Sequence, residues 1–500
     1  MTFDLIIVGG GVNGCAIARD AAGRGLKVLL VEQKDLASGA SSASTKLVHG
    51  GLRYLEHYEF RLVQEALAER ELLLAAAPHI IWPLRFVLPH ERSIRPAWLI
   101  RLGLFLYDHL ARRERIPGSE TVRLAGGPLG APLRDSYQLG FSYFDCWVDD
   151  ARLVALEAQD AFERGADVRV GAKLIGAKRQ ESMWTATIAE ASGRIDRVAG
   201  KALVNASGPW VSEILERRLG LSSKKHVRLV KGSHIVTPRL YDGDHAYLLQ
   251  RPDKRIIFAI PFEQDFTLVG TTDVAYEGEP GPVAISEDET AYLLEGVDRF
   301  FRRKVEASDI VWSYAGLRPL YDDGSLQASV ITRDYAFDLD APPGDAPALS
   351  IFGGKITTAR RLAEHALDDL APFFAHMRPA WTARAVLPGG DLGEAGFDAF
   401  LEELTRRKPF LAPRVALRLA RSYGSRVWRF LEKAQSMADL GADYGGGLSD
   451  AEIAYLHDHE WARSVEDILW RRSKLGLHLS GAQKAALERA FGETYGVSGG

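Results

Sequence analysis

Sulfur is scarce in this chain, which has two cysteines and four methionines among 500 residues. Cys15 and Cys146 match no C-x-x-C or metal-ligand spacing. A disulfide framework and a cysteine-held metal are therefore not expected, and a reducing compartment fits best. No uncharged apolar run reaches the length of about 18 residues that a spanning helix needs. Neither sign of charge dominates: 62 basic and 66 acidic side chains leave a formal net charge of -4, which argues against nucleic-acid binding through bulk charge. The sequence has no internal repeat, no low-complexity block and no D-x-D-x-D-G calcium loop, so no metal is expected. No secretory or transit segment is expected either, because an apolar strand begins by Phe3. The length calls for two or three domains.

What is present starts at once. Phe3-Asp-Leu-Ile-Ile-Val8 runs into Gly9-Gly-Gly11-Val-Asn-Gly14, and Lys27-Val-Leu-Leu-Val31 ends in Glu32. Strand, G-x-G-x-x-G turn, helix, strand and acid within about 30 residues is the dinucleotide-binding fingerprint. Gly9 permits the tight turn, Gly11 lets backbone approach a pyrophosphate, and Gly14 lets the helix lie close to the strand. The helix N-terminus offers N–H groups and a positive dipole end to phosphates, and Glu32 can accept hydrogen bonds from an adenosine ribose. A small-residue stretch follows from Ala37 to Tyr54, containing Ser41, Ser42, Lys46, His49 and Gly50. It cannot bury itself, and such loops wrap ligands. Two more strand-to-glycine junctions lie at Leu203-Val-Asn-Ala-Ser-Gly208 and at Phe352-Gly353-Gly354-Lys355-Ile-Thr357-Thr358. In a doubly wound sheet the carboxyl ends of the strands share one crevice, so one long dinucleotide can touch all three junctions. FAD, buried and extended, needs the serine-rich wrap and the third junction; NAD rarely does.

Helical spacing covers residues 58–77 and 359–370, and Thr357 and Thr358 are placed to cap the second helix. Residues 167–200 alternate as strands, and 228–275 read as an antiparallel sheet. Beyond residue 388 the pattern is helical to the end. The expected fold is α/β plus α+β: a Rossmann-like FAD-binding domain from residues 1–75, 145–215 and 311–375, an antiparallel-sheet substrate cap from 76–144 and 216–310, and a helical domain over 388–500.

At these residues the chain resembles the FAD-dependent glycerol-3-phosphate dehydrogenases, over nearly its whole length. The resemblance rests on the run from Ser41 to Phe60, Asp145-Cys-Trp-Val-Asp-Asp-Ala-Arg152, Lys231-Gly-Ser-His234, Gly270-Thr-Thr-Asp273, Gly316-Leu-Arg318-Pro-Leu320 and residues 352–358. It is strongest to the aerobic bacterial branch, and it implies a peripheral membrane homodimer passing electrons to a quinone. It also implies that Arg53, Tyr54 and Lys355 bind the substrate phosphate, that Thr271 is a further substrate contact, and that Arg318 lies near the reacting carbon.

The chemistry agrees. Glycerol 3-phosphate brings about two negative charges, which arginine meets with bidentate hydrogen bonds and lysine with a point charge. Arg318 can stabilise a developing alkoxide. His234 is the choice for general base, since imidazole titrates near neutral pH; the alternative is a structural histidine in a strand. Arg318 can instead pair with Asp322 or Asp323. His49 is read as shaping the flavin loop, and Trp461 and Trp470 as helix-packing residues. FAD is assumed to be non-covalent.

Residues 92–115 combine Trp98, Leu99, Ile100, Leu102, Leu104, Phe105, Leu106 and Tyr107 with Arg92, Arg95, Arg101, Arg112, Arg113 and Arg115. Aromatics flanked by arginines suit an anionic lipid surface; dimer or core packing is the other reading. The expected location is the cytoplasm, peripherally bound to the cytoplasmic face of the inner membrane. Competing functions are an oxidase of the same substrate using oxygen, a flavin-binding scaffold without turnover, and an amine oxidase. The last needs one carboxylate-binding arginine, not a cluster of cations.

Overall fold

The computed structural model describes residues 1–91, 95–253, 255–322 and 334–496, without the side chains of Arg53, Glu56 and His57. Arg92 and Asp323 fall outside the described residues. Every residue from Phe3 to Val8 is buried, as a strand covered on both faces requires. This strand, Thr2–Val8, sits inside an eight-stranded sheet whose main order is Tyr335–Asp340, Ala348–Gly353, Ile195–Asn205, Thr2–Val8, Val28–Glu32, Asp167–Val170. The pairs from Ala348–Gly353 to Asp167–Val170 are parallel. Their register sets Val8 beside Val31 and Asn205, and Asn205 beside Ser350. All three glycine junctions therefore open along one sheet edge. Helices Val12–Gly23, Asp150–Glu163 and Ala359–Leu370 cover one face through small and branched residues such as Ala18, Val154, Ala158 and Leu362. Trp184, from an attached antiparallel pair, anchors the cluster on the other face.

The second sheet has ten strands and is antiparallel except where Ala246–Gln250 meets Ile81–Pro89. Its composition differs from the expected division of the chain. Trp312–Tyr321 pairs along its whole length with Val227–Pro238, so the segment from residue 311 begins in the second sheet and only Tyr335–Asp340 and Ala348–Gly353 return to the first. Leu139–Val148 likewise pairs with Ile81–Pro89, so the chain crosses to the first unit after Val148 and not at 145. Backbone pairing decides both: each strand finds its hydrogen-bond partners across its full length in the second sheet.

The C-terminal helices Gly396–Arg407, Pro413–Tyr423, Asp450–Glu460 and Gly481–Tyr495 enclose their own apolar core around Leu404, Leu419, Leu456 and Leu487. Buried ion pairs tie this unit to the first sheet. Arg152 meets Glu460 through two hydrogen bonds of 2.8 Å, and Arg472 meets Asp35 through bonds of 2.9 and 2.8 Å. Trp470 stacks on Trp312 of the second sheet at 4.5 Å between ring centroids, and Trp461 meets Phe162 edge-on.

Helix Ala97–His109 lies on the surface. Leu104 and Tyr107 are buried beneath it, while Trp98 is 68% exposed and Leu99, Leu102, Phe105 and Leu106 also face outward. Among the described residues no helix is long and apolar enough to cross a membrane.

Two expectations follow from these buried groups. Glu460→Ala leaves Arg152 as a buried, uncompensated cation and should cost about 3–5 kcal/mol in chemical or thermal unfolding. His79 is fully buried, and burial with the nearby Arg152 and Arg421 cations pushes its pKa down to about 3. It stays neutral in the fold while the unfolded chain takes up a proton below a pH of about 6.5, so its contribution is lost as pH falls through that value. His79→Leu should therefore lose about 2 kcal/mol less stability than wild type between pH 7 and 5.

Candidate active site

The sheet edge carrying the glycine junctions opens into a cavity of ≈ 1160 Å³ that extends between the two sheets. That exceeds the range of about 300–1,000 Å³ for a drug-sized ligand, leaving room for a cofactor and a substrate together. Gly9, Gly11, Glu32, Ser41, Gly208, Gly353, Gly354 and Thr357 all face it. Gly14 does not; it serves the turn from behind, where a Cβ would stand 1.9 Å from the Gly9 carbonyl oxygen. The Glu32 carboxylate accepts from the N–H groups of Gly10 at 2.7 Å and Lys34 at 2.8 Å. Its remaining lone pairs stay open to a ribose. Ser41 Oγ accepts from the N–H of Val12 at 3.0 Å, tying the serine-rich loop to the helix start. This glycine-lined cradle, with an acid at its rim, fits a dinucleotide.

The loop owes its path to a group that the sequence reading placed differently. Lys46, expected to hold the cofactor, is fully buried and its Nζ pairs with Asp150 Oδ1 at 2.8 Å. Ser44 donates to the other carboxylate oxygen at 2.7 Å. Ser42 contributes its carbonyl to Lys46 and faces a smaller cavity beside Trp312 and Trp470, not the main one. Gly50 is also withdrawn: its N–H donates to Tyr107 Oη at 2.8 Å, and Tyr107 donates to Asp145 at 2.7 Å. Asp145 is paired with Arg70 at 2.6 Å. A short residue in a wrapping loop has two possible partners, the ligand or the scaffold beneath, and here the scaffold supplies an aspartate aimed at the loop.

Cationic side chains line the same cavity. Lys355 Nζ stands 5.0 Å from the centroid of the Tyr54 ring, and both face the cavity. Arg53 sits in the same short helix, Leu52–His57, with its side chain outside the described residues. Arg318 faces the cavity and is paired with Asp273, not with Asp322, which binds Arg228 at 2.9 Å. Strand pairing brings Asp273 near, whereas Asp322 leaves on the far side of the strand end. Arg318 Nη2 also donates to Thr271 Oγ1 at 2.7 Å and to the Thr272 carbonyl at 2.8 Å. Thr271 Oγ1 also lies 3.2 Å from the Thr272 carbonyl oxygen, and its hydroxyl orients Arg318. Gly232 makes room: a Cβ there would stand 1.9 Å from Arg318 Nη2.

His234 is 1% exposed and does not reach the cavity wall. Burial, with the cations of Arg318 and Lys46 nearby, holds its pKa well below the usual imidazole value. His49 does face the cavity, and its N–H donates to Thr357 Oγ1 at 3.3 Å. Thr357 is thereby diverted from the expected capping role, and Thr358, the residue before helix Ala359–Leu370, makes no side-chain cap either. Sequence reasoning missed Asp150, Asp273, Tyr107 and Thr45. The first two lie inside the motifs carrying the family resemblance, and their acidity beside buried cations was the available signal.

The FAD dependent oxidoreductase family model matches residues 4–344, and the model for the C-terminal domain of alpha-glycerophosphate oxidase matches residues 380–493. The chain is 55% identical to a glycerol-3-phosphate dehydrogenase of Pseudomonas aeruginosa over 97% of this chain and 94% of that one. It is 50% identical to a D-erythritol 1-phosphate dehydrogenase of Brucella abortus over 98% of each. It superposes on the solved glycerol-3-phosphate dehydrogenase of Bacillus halodurans complexed with FAD with a TM-score of 0.79 and 27% identity, covering 99% of this chain and 91% of that one. Gly14→Ala should separate the helix from the glycine turn and lower the flavin content of the purified protein several-fold, measured by absorbance after denaturation. A full flavin complement would contradict the cradle described above.

Proposed function

The chain belongs to the FAD-dependent oxidoreductase family, and from that membership we propose that it oxidises sn-glycerol 3-phosphate to dihydroxyacetone phosphate and passes the electrons to a membrane quinone. The observation that carries the reading is that Lys355, Tyr54 and Arg318 line the same cavity as the glycine-rich cofactor cradle. Bound FAD supplies the acceptor for the hydride leaving the alcohol carbon. Gly9, Gly11, Glu32, Ser41, Gly208, Gly353 and Gly354 would hold it non-covalently, and the start of helix Ala359–Leu370 would favour negative charge nearby.

The remaining roles fall to side chains. Lys355 and Arg53 would neutralise the phosphate, with the Tyr54 ring fixing the lysine. Arg318, oriented by Thr271 and partly neutralised by Asp273, would hold the reacting hydroxyl and stabilise charge developing on its oxygen. His234 is the proton acceptor in this reading, neutral at physiological pH because its pKa is depressed. An amine substrate would leave this cation cluster without purpose.

The acceptor reading rests on the apolar part of the cavity lining. Phe258, Leu248 and Leu55 contribute to it, and the surface helix itself contributes Ile100 and Leu106. That helix turns an apolar stripe outward beside Arg112, which is 88% exposed. Such a face suits a monotopic contact with anionic lipid, and a lipid-soluble quinone suits an apolar lining beside that face better than oxygen, which needs neither. The cytoplasmic face and the homodimer remain parts of the same proposal.

Anaerobic titration tests the chemistry. Glycerol 3-phosphate should bleach the flavin, and glycerol should not. Bleaching by D-erythritol 1-phosphate at lower concentration than by glycerol 3-phosphate would move the substrate assignment to the longer polyol. Lys355→Met should lose a charge-assisted contact worth about 1.5–3 kcal/mol, weakening substrate binding by about tenfold or more. For the membrane contact, Leu102→Asp/Phe105→Asp should abolish flotation with anionic vesicles and reduce quinone-linked turnover while dye reduction persists. Unchanged flotation would assign the stripe to packing against another copy of the chain.

A further inference from the structure

The proton acceptor in the proposed reaction stands behind the cavity wall, and one side chain stands in front of it. Thr45 faces the cavity; His234 does not. Thr45 Oγ1 lies 2.9 Å from His234 Nε2.

Both partners are fixed. The cross-strand neighbours of His234 are Gly270 and Tyr314. The Tyr314 ring stacks on the imidazole at 4.7 Å and 15°. On the other side a Cβ at Gly270 would stand 2.0 Å from His234 Cδ2, so only glycine leaves the slot open. The hydroxyl is fixed through its chain neighbours. Ser44 and Lys46 are both tied to Asp150, and the Ser44 carbonyl accepts from Tyr314 Oη at 2.8 Å. Among the described residues His234 Nδ1 has no hydrogen-bond partner, so Thr45 is the side chain that engages the ring in the plane of its nitrogens. A hydroxyl has one proton to give and two lone pairs. In the tautomer that carries its proton on Nδ1, Nε2 takes the Thr45 proton and a lone pair of Oγ1 remains for a substrate hydroxyl in the cavity.

We propose that Thr45 is a catalytic hydroxyl that relays the substrate's alcohol proton to His234. The proposal rests on the reading of His234 as proton acceptor. Bound FAD would supply the acceptor for the hydride from the alcohol carbon; with the loss of that hydride the substrate O–H bond breaks and its proton passes to Thr45 Oγ1. The Thr45 O–H bond breaks in the same event and its proton passes to Nε2. The substrate carbon gains its C=O bond, Thr45 ends as it began, and the imidazole holds one proton. The charged groups around the ring are Arg318 and Lys46, each with its own counter-ion, Asp273 and Asp150. They and burial keep the imidazole unprotonated at rest.

Three variants in the FAD-loaded protein test this. Thr45→Val should slow flavin reduction by roughly 10²–10⁴-fold, the range of a lost acid–base group, with FAD content retained. Thr45→Ser, which restores the hydroxyl, should recover most of the rate. The readout independent of turnover is the ¹⁵N resonance of His234, assigned by its loss in His234→Asn. Adding dihydroxyacetone phosphate should shift it in wild type and leave it unmoved in Thr45→Val. Fast reduction in Thr45→Val with slow reduction in His234→Asn would overturn the relay and keep His234 as a direct acceptor. Fast reduction in both would overturn the relay and the assignment of His234 together. A slow Thr45→Val whose ¹⁵N shift still responds to dihydroxyacetone phosphate would make Thr45 a flavin contact and overturn the relay.

Discussion

The buried ion pair between Lys46 and Asp150 is the constraint on which the site depends. A loop that must leave its inner face open to a cofactor has little apolar surface of its own to bury. The middle of the stretch 38–51 is held instead from beneath, by a carboxylate that receives Lys46 Nζ and the Ser44 hydroxyl. Lys46 takes a left-handed backbone conformation, with φ of 60°, which costs a non-glycine residue roughly 1–2 kcal/mol. The charge-assisted contacts offset that cost and fix the turn. Thr45 lies between the two anchored residues, and His49, Gly50 and the Leu52–His57 helix follow within a few positions. An error in the path of this loop would move the proposed proton relay, the flavin wall and the proposed phosphate site together.

The same economy governs the cations. An arginine facing an empty cleft in a low-dielectric wall is costly unless paired. Arg318 is held by Asp273, Thr271 and the Thr272 carbonyl, which leave part of its donor fork for a ligand. Lys355 stands over the face of Tyr54, an interaction that helps to orient it. Tyr107 joins the surface helix to this arrangement, because its hydroxyl receives the Gly50 N–H just ahead of the helix that carries Tyr54.

Much of this was legible in the sequence because it depends on local pattern. The opening βαβ unit, the three glycine junctions, the antiparallel second sheet and the helical C-terminal unit follow from period and turn chemistry, and the residues at those junctions line one cavity. Partner choice at long range was not legible. Lys46 reads as a ligand-binding lysine in a glycine- and serine-rich loop until Asp150, a hundred residues later, is brought beneath it. Arg318 has acidic residues four and five positions on, yet strand pairing gives it Asp273. His234 reads as a general base or as a structural histidine, and its burial was not legible because alternation cannot tell which strand face a loop will cover. The boundaries near 145 and 311 were misplaced for a related reason: the strands there pair with sequence-distant partners, and hydropathy does not encode the partner.

The most direct measurement of the central constraint is the affinity of the apoprotein for FAD, by quenching of flavin fluorescence, in wild type and in Asp150→Asn. The substitution leaves the buried Lys46 without its counter-charge and frees the loop, so the dissociation constant should rise at least tenfold, about 1.4 kcal/mol, in protein that still unfolds cooperatively. An unchanged dissociation constant in a folded Asp150→Asn variant would mean that the cradle is held by other contacts, and that this ion pair does not set the site.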